Sequence, residues 1–198
     1  FNRNTPTALW VDFASTFEGV ATCQYERVSD TCIEGYVKAR NVCGRGQYKL
    51  YFSLNTDHPF QLQEQQATTA ALRFDEEVHT VEVRIGLSPL STALASQECS
   101  RWKEMSFSKL KLQAIAQWEK QLQNIDVKGG EQDDKVIFYT SLYRTFLSPV
   151  DVTSPDGEYL GTDGKKYVSK DFRYYSNWSL WDTFRTKFPL LVLTEPVK

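Results

Sequence analysis

The sequence predicts an α+β chain, with an antiparallel β-sandwich portion first and helices after it. Two observations carry this expectation. Before residue 90 apolar residues alternate with polar ones, with no helical period between the runs. From Ser106 onward apolar residues recur every three to four positions instead.

The strand region opens with the short apolar run Ala8-Leu9-Trp10-Val11-Asp12-Phe13. Gln47 to Leu54 alternates, with Tyr48, Leu50, Phe52 and Leu54 on one face. Val78 to Leu87 alternates as well, with Thr80, Glu82 and Arg84 on the polar face. Both patterns predict half-buried antiparallel strands. Gly44, Gly46, Asn55 and Asp57-His58-Pro59 supply turn chemistry between runs.

The character changes at Ser91. Thr92 to Glu104 tolerates a helix. Ser106 suits an N-cap for a longer helix whose apolar face is Phe107, Leu110, Ala114, Trp118, Leu122 and Ile125. Gly129-Gly130 ends that unit. Asp133 to Leu147 repeats the helical pattern through Val136, Tyr139, Tyr143 and Phe146, and Pro149 stops it. Residues 150–175 read as hairpins, with turns at Pro155-Asp156-Gly157 and Asp163-Gly164 around Tyr159-Leu160 and Tyr167-Val168. A last helix is expected from about Ser179, kinked or ended by Pro189.

Composition excludes some functions. A net charge of −2 gives no electrostatic case for nucleic acid, which calls for a basic patch. No apolar run approaches the ~20 residues of a membrane span. HExxH, GxSxG and the phosphate-binding glycine loop are all missing. Glu76-Glu77 and Asp133-Asp134 are adjacent acids whose side chains diverge, which suits a solvated turn and a helix start. His58 in a turn and His79 in a strand have no nucleophile with triad logic. Asp156-Gly157 and Asp163-Gly164 lack the EF-hand spacing and fit two-residue turns.

Cys23, Cys32 and Cys43 fall within twenty-one residues, and Cys99 stands apart. Their spacing does not suit zinc, which favours C-x2-4-C pairs. Disulfides, with Cys23–Cys32 closing the shortest loop, and buried free thiols both remain open.

Functional chemistry concentrates in Tyr174-Tyr175-Ser176-Asn177-Trp178-Ser179-Leu180-Trp181-Asp182-Thr183-Phe184-Arg185, where five aromatics, a carboxylate and a guanidinium share twelve positions. Flat apolar faces beside fixed hydrogen-bonding groups are what a sugar pocket needs. A structural reading stands beside this one. Ser179-x-x-Asp182 has the form of a capping box, with Leu180, Trp181, Phe184 and Phe188 as the buried faces of the helix it starts. One carboxylate can do both. Asn177-Trp178-Ser179 is formally a glycosylation sequon, in a segment expected to be buried and therefore unmodified.

The stretch Asn177 to Arg185 resembles the signature of glycoside hydrolase family 92, the calcium-dependent exo-α-mannosidases. Val83-Arg84-Ile85-Gly86-Leu87-Ser88-Pro89-Leu90-Ser91 is similar to the last strand of that family's N-terminal domain. Trp118 to Leu122 with Ile125 to Gly130 resembles its linker helix and the turn after it. Ile137 to Pro149 resembles the next helix, and Asp156 to Gly164 the connecting hairpin. The likeness is close over roughly residues 80–198 and loose before that.

The resemblance implies three parts. Residues 1–90 would be the C-terminal part of an N-terminal β-sandwich domain, 91–128 a helical linker, and 129–198 the start of an (α/α)6 barrel. On that basis the chain reads as a fragment of a larger, secreted or periplasmic enzyme. The family's chemistry is inverting hydrolysis of terminal α-mannose. One carboxylic acid protonates the leaving oxygen and a second carboxylate activates water, the two standing roughly 6.5–9.5 Å apart. Ca2+ would bind mannose hydroxyls. The acid, the base and the calcium ligands are expected outside this segment, so no catalytic or metal residue is assigned here. The substrate-binding candidates are Trp181, Asp182 and, more weakly, Arg185, which would otherwise orient a carboxylate. The implied partners are a mannose-containing glycan and the remainder of the same enzyme. The competing reading is a non-catalytic β-sandwich carbohydrate-binding or interaction module with a helical extension.

Overall fold

A computed structural model describes residues 7–16, 19–41, 46–176 and 179–194. Cys43, Gly44, Asn177 and Trp178, all part of the sequence expectations, lie outside the described residues. The chain divides into two compact units. One is the stretch through Glu104 together with Ser154–Val168, and the other is Met105–Thr153 together with Ser169–Lys198.

The first unit is built on two antiparallel sheets. The larger has the order β2-β3-β4-β7, formed by β2 (Val20–Ser29), β3 (Cys32–Arg40), β4 (Gln47–Thr56) and β7 (Val83–Ser88). The smaller has the order β1-β6-β5, from β1 (Ala8–Asp12), β6 (Thr69–Arg73) and β5 (Gln61–Gln66). Side chains of both sheets meet in one core of Phe13, Ile33, Phe52, Leu54, Phe60, Ala70, Leu72 and Phe74. Full burial of each large member contributes about 1.5–3 kcal/mol. Phe13 stacks on Tyr25 at 4.6 Å and on Phe52 at 5.0 Å. Gly35 makes room for this stack, because a Cβ there would stand 2.2 Å from Gln24 O and 2.9 Å from Phe52 Cζ.

The alternation expected for residues 47–54 is present, with Phe52 and Leu54 in the core. Asn55, expected in a turn, is instead the penultimate residue of β4 and pairs with Cys32 and Arg84. The strand expected from Val78 begins only at Val83, so His79 lies outside it. The reason is the partner. Thr56 ends β4 opposite Val83, and the chain upstream is held differently, by Glu82 N donating to Asp57 Oδ1 at 2.8 Å. Ile85 and Leu87 share the core-facing side of the larger sheet but stay exposed.

The opposite face carries helix α1 (Thr92–Arg101), capped by Ser91, whose hydroxyl accepts from Leu94 N at 3.2 Å. Gly86 allows the close approach. A Cβ on it would lie 1.9 Å from Ala95 O and 2.6 Å from Cys99 N. The expected hairpin forms from β9 (Glu158–Leu160) and β10 (Lys166–Val168), with Gly157 at φ 85° and Gly164 at φ 76° supplying the left-handed turn positions. Tyr159 and Tyr167 stack across it at 5.7 Å.

The cysteines resolve differently from a Cys23–Cys32 bridge. Cys23, Cys32 and Cys99 are free thiols. Cys23 packs on the core side of β2, while Cys32 faces Ser53 on the other side of its sheet. Period-two alternation separates them.

The second unit holds α2 (Phe107–Leu122), α3 (Gln132–Thr145), α4 (Leu180–Thr183), α5 (Lys187–Thr194) and the strand pair β8 (Val150–Asp151) and β11 (Tyr175–Ser176). Ser106 caps α2 as expected, accepting from Lys109 N at 3.4 Å. The expected apolar face of α2 is not buried, and Phe107 is largely exposed. Trp118 of that face packs on Tyr143 of α3 at 4.5 Å between ring centres. The Tyr139 hydroxyl donates to Ile125 O at 3.0 Å, fixing the connection between the two helices. Asp133 and Asp134 sit in the first turn of α3, where Asp134 accepts from Glu131 N at 3.3 Å. The single last helix expected from Ser179 is two helices, α4 and α5, separated by a turn at 184–186. Pro189 does not end α5, because it lies in the first turn, where a missing N–H costs nothing.

Gly86→Ala is expected to cost about 3 kcal/mol through backbone overlap with α1, read as a lower urea midpoint. An unchanged midpoint would show that α1 does not rest on β7 in this way.

Candidate functional site

The three substrate-binding candidates lie on one short piece of chain. Trp181 and Asp182 belong to the single-turn helix α4, and Arg185 follows in the next turn. The helix is anchored from below by Thr183. This side chain is buried, and its hydroxyl donates to Ser179 O at 2.6 Å while its own N–H donates to the same carbonyl at 3.1 Å. A threonine bonding back to the i−4 carbonyl is common in helices and carries no special sequence signal.

The capping-box expectation is corrected here. Ser179 occupies the N-cap position, but its hydroxyl makes no cap bond to the backbone. It donates instead to Asp182 Oδ2 at 2.6 Å. Ser179 therefore orients the carboxylate rather than sealing the helix. A carboxylate accepts from several directions, so Asp182 retains accepting capacity on Oδ1 and on Oδ2.

The expected burial of Leu180, Trp181 and Phe184 is corrected too. All three are exposed, Trp181 at 79%, and Phe188 is only half-buried. The helix spans one turn, too short to present a buried stripe. The Arg185 guanidinium lies over the Phe184 ring, 5.3 Å from its centre. Among the described residues no ion pair joins it to Asp182. What the chain offers is a flat indole, a fixed carboxylate and a cation within five positions. Chemically, this arrangement can stack on sugar C–H groups and exchange hydrogen bonds with hydroxyls.

The approach to α4 is fixed by a polar latch that sequence reading missed. Arg173 Nε donates to Asp151 Oδ2 at 2.7 Å and its Nη2 to Thr153 O at 3.1 Å. Thr153 N donates to Asp151 Oδ1 at 2.9 Å, and Tyr174 N donates to Thr153 Oγ1 at 2.6 Å. These bonds tie β8 to β11 immediately before the site. Partial burial pushes the Asp151 carboxyl up, but hydrogen bonds from Thr153 and Arg173 together outweigh it and hold Asp151 below the usual carboxylate range. Only the Asp-x-Thr spacing hinted at this, and a partner twenty-two positions on was invisible. Lys187 Nζ also donates to Ser148 O, securing the start of α5.

Each unit also carries clefts of its own. Gln121, Phe146, Pro149, Tyr175 and Leu191 line a cleft of about 420 Å³ in the second unit, without Trp181, Asp182 or Arg185. On the sheet of the first unit, Gln24, Glu26, Glu34, Tyr36 and Thr92 border a cleft of about 520 Å³. Glu26 and Glu34 are cross-strand partners there, and the Tyr36 hydroxyl donates to Gln24 Oε1 at 2.7 Å.

The latch generates a pH prediction. A carboxyl held low in the fold contributes stability fully above its unfolded value near ~3.9 and loses it as pH falls through the lower folded value. The difference in Tm between wild type and Asp151→Asn should therefore be largest near neutral pH and shrink below about pH 4. A difference constant across that range would mean that the carboxylate is not the latch.

A family GH92 α-mannosidase from Bacteroides thetaiotaomicron, also solved with mannoimidazole, matches with a TM-score of 0.82 at 22% identity, over 93% of this chain and 28% of that chain. The GH92 family glycosyl hydrolase ccman5 matches with a TM-score of 0.83 at 26% identity, over 97% of this chain and 28% of that chain. A family GH92 inverting mannosidase from Bacteroides thetaiotaomicron matches with a TM-score of 0.72 at 21% identity, over 97% of this chain and 28% of that chain. The chain thus spans little more than a quarter of the length of these proteins. No curated protein sequence matches it. The family model for the glycosyl hydrolase family 92 catalytic domain matches residues 92–198, more than half of the chain and including all of α1 to α5. This chain therefore belongs to glycoside hydrolase family 92.

Proposed function

We propose that the chain is part of an enzyme that removes terminal α-linked mannose from mannose-rich glycans by a calcium-assisted inverting mechanism. The observation that carries this reading is the fixed Asp182 carboxylate beside an exposed Trp181, inside the stretch that matches the family's catalytic domain. The names of the structural neighbours, α-mannosidase and inverting mannosidase, support the substrate class. In the complete enzyme, residues 129–198 would begin the (α/α)6 barrel, 91–128 would be the linker, and the sheets would close the N-terminal β-sandwich domain. A secreted or periplasmic location goes with a glycan substrate.

Asp182 accepts hydrogen bonds from mannose hydroxyls in this reading, with Ser179 holding the carboxylate in place. Trp181 lays its indole against the apolar C–H face of the sugar and excludes water from it. Arg185 donates to a hydroxyl from the far end of the turn. The acid and base of inversion are supplied by parts of the enzyme that this chain does not span.

Calcium, when bound, would fix sugar hydroxyls as a hard cation with oxygen ligands. Among the described residues no group of three or more His, Cys, Asp or Glu side chains is placed to hold a metal ion. In this reading the calcium ligands belong to the rest of the enzyme. Among the described residues, no helix is long and apolar enough to cross a membrane.

In the full-length enzyme, Asp182→Ala is expected to lower kcat/KM on an α-mannobiose by roughly 100-fold or more with an unchanged Tm. Ser179→Ala should give a smaller loss through misorientation of the same carboxylate. Unaltered kinetics in Asp182→Ala would remove it from the pocket.

A further inference from the structure

The face of the larger sheet that lies away from the core carries a cleft over β2 and β3. Period-two alternation puts Glu34 and Tyr36 of β3 on the side where Cys32 meets Ser53. In the strand pairing Glu26 of β2 stands opposite Glu34, and Gln24 stands opposite Tyr36. Gln24, Glu26, Glu34 and Tyr36 all border the cleft, whose volume is about 520 Å³. That lies within the ~300–1,000 Å³ of small-molecule sites. Fixed neighbours orient its polar groups. Ser53, completely buried, donates to Glu34 Oε1 at 3.0 Å. The Tyr36 hydroxyl donates to Gln24 Oε1 at 2.7 Å. The Lys49 ammonium lies 3.5 Å from the centre of the Tyr36 ring and 4.6 Å from that of Tyr51, and the two rings meet edge to face at 6.0 Å. A ring and a carboxylate already held in place lose little freedom on binding.

We propose that this cleft is a carbohydrate site formed by the first unit alone, without Trp181, Asp182 or Arg185, which holds sugar units of a mannose-rich glycan without touching the bond that is cleaved. The choice of mannose rests on the function proposed above, and the sugar chemistry rests on the cleft.

The chemistry of the lining selects the ligand class. Glu26 and Glu34 are like charges opposed across neighbouring strands, an arrangement that costs stability. Hydroxyl donors placed against both carboxylates offset that cost. An anionic ligand would be repelled by them. A Ca2+ ion takes ~6–8 oxygen ligands, and an aromatic ring is not one of them. A neutral polyhydroxy ligand fits every group present. Its hydroxyls donate to Glu26 and Glu34 and accept from the Gln24 amide, while its C–H face lies against the Tyr36 ring.

The test is affinity electrophoresis of the full-length enzyme in gels with and without soluble α-mannan. Asp182→Ala and a calcium chelator are present throughout, so that the mannose pocket is silent. The Asp182→Ala enzyme is expected to be retarded by the mannan. Adding Tyr36→Ala should weaken the retardation about tenfold. Adding Glu26→Ala should weaken it too, and this position is exposed on its strand, so the fold is kept. With Asp182 and calcium intact, Tyr36→Ala should lower kcat/KM on α-mannan several-fold and leave kcat/KM on an α-mannobiose unchanged. Absence of retardation, retardation that neither substitution alters, or an equal loss on both substrates would overturn the proposal. Cleavage of α-mannobiose with retardation independent of Tyr36 and Glu26 would remove this site and keep the mannosidase reading. Retardation that depends on Tyr36, in an enzyme that cleaves no α-mannobiose, would do the reverse.

Discussion

Helix α1 rests on the backbone of β7, and this contact depends on the missing side chain of Gly86. A single Cβ there would overlap Ala95 O at 1.9 Å. Because the helix sits so low, it covers the otherwise solvent-facing side of β4 and β7 and buries Ser53 completely. It also delivers Cys99 to the Asn55 amide. The other side of the same sheet packs its Ile33, Phe52 and Leu54 against the three-stranded sheet. The central strands are thus buried on both faces, although the sequence of β4 alternates as if one face were wet. Its polar positions, Ser53 and Asn55, are paired with Glu34 and Cys99 rather than with water.

That arrangement explains which parts of the fold were legible beforehand. Period-two alternation marked β4 because Phe52 and Leu54 answer to a core whatever covers the reverse face. It overextended β7, because Val78 and Val81 are apolar for another reason: they pack against the same core from irregular chain. Turn chemistry placed the 158–168 hairpin well, since Gly157 and Gly164 supply φ values that most residues avoid. The same reasoning misplaced Asn55, whose amide serves a buried side-chain network rather than a turn. Helical period identified α2 and α3, yet apolar spacing alone does not say what covers a face, and Phe107, Val136 and Ile137 remain exposed.

The candidate site shows a similar division. The concentration of aromatics with Asp182 and Arg185 was visible as composition. The orientation of the carboxylate was not, because Ser179 can serve either the backbone or Asp182, and only geometry decides between them. The Asp151–Thr153–Arg173 latch was hidden because its charge pair joins strands whose pairing no local pattern announces. The short helix α4 is held by local bonds, from Thr183 to Ser179 O and from Ser179 to Asp182, more than by helical propensity. Exposed Trp181 therefore sits on a braced turn, and bracing is what a binding side chain needs if it is to meet a sugar without a large ordering cost.

The most direct test of this account is mannose release from an α-mannobiose by the full-length parent enzyme, measured with and without a calcium chelator. The account predicts release that stops with chelator and returns when calcium is restored. No release from any α-linked mannobiose, with calcium present and the protein folded, would contradict it.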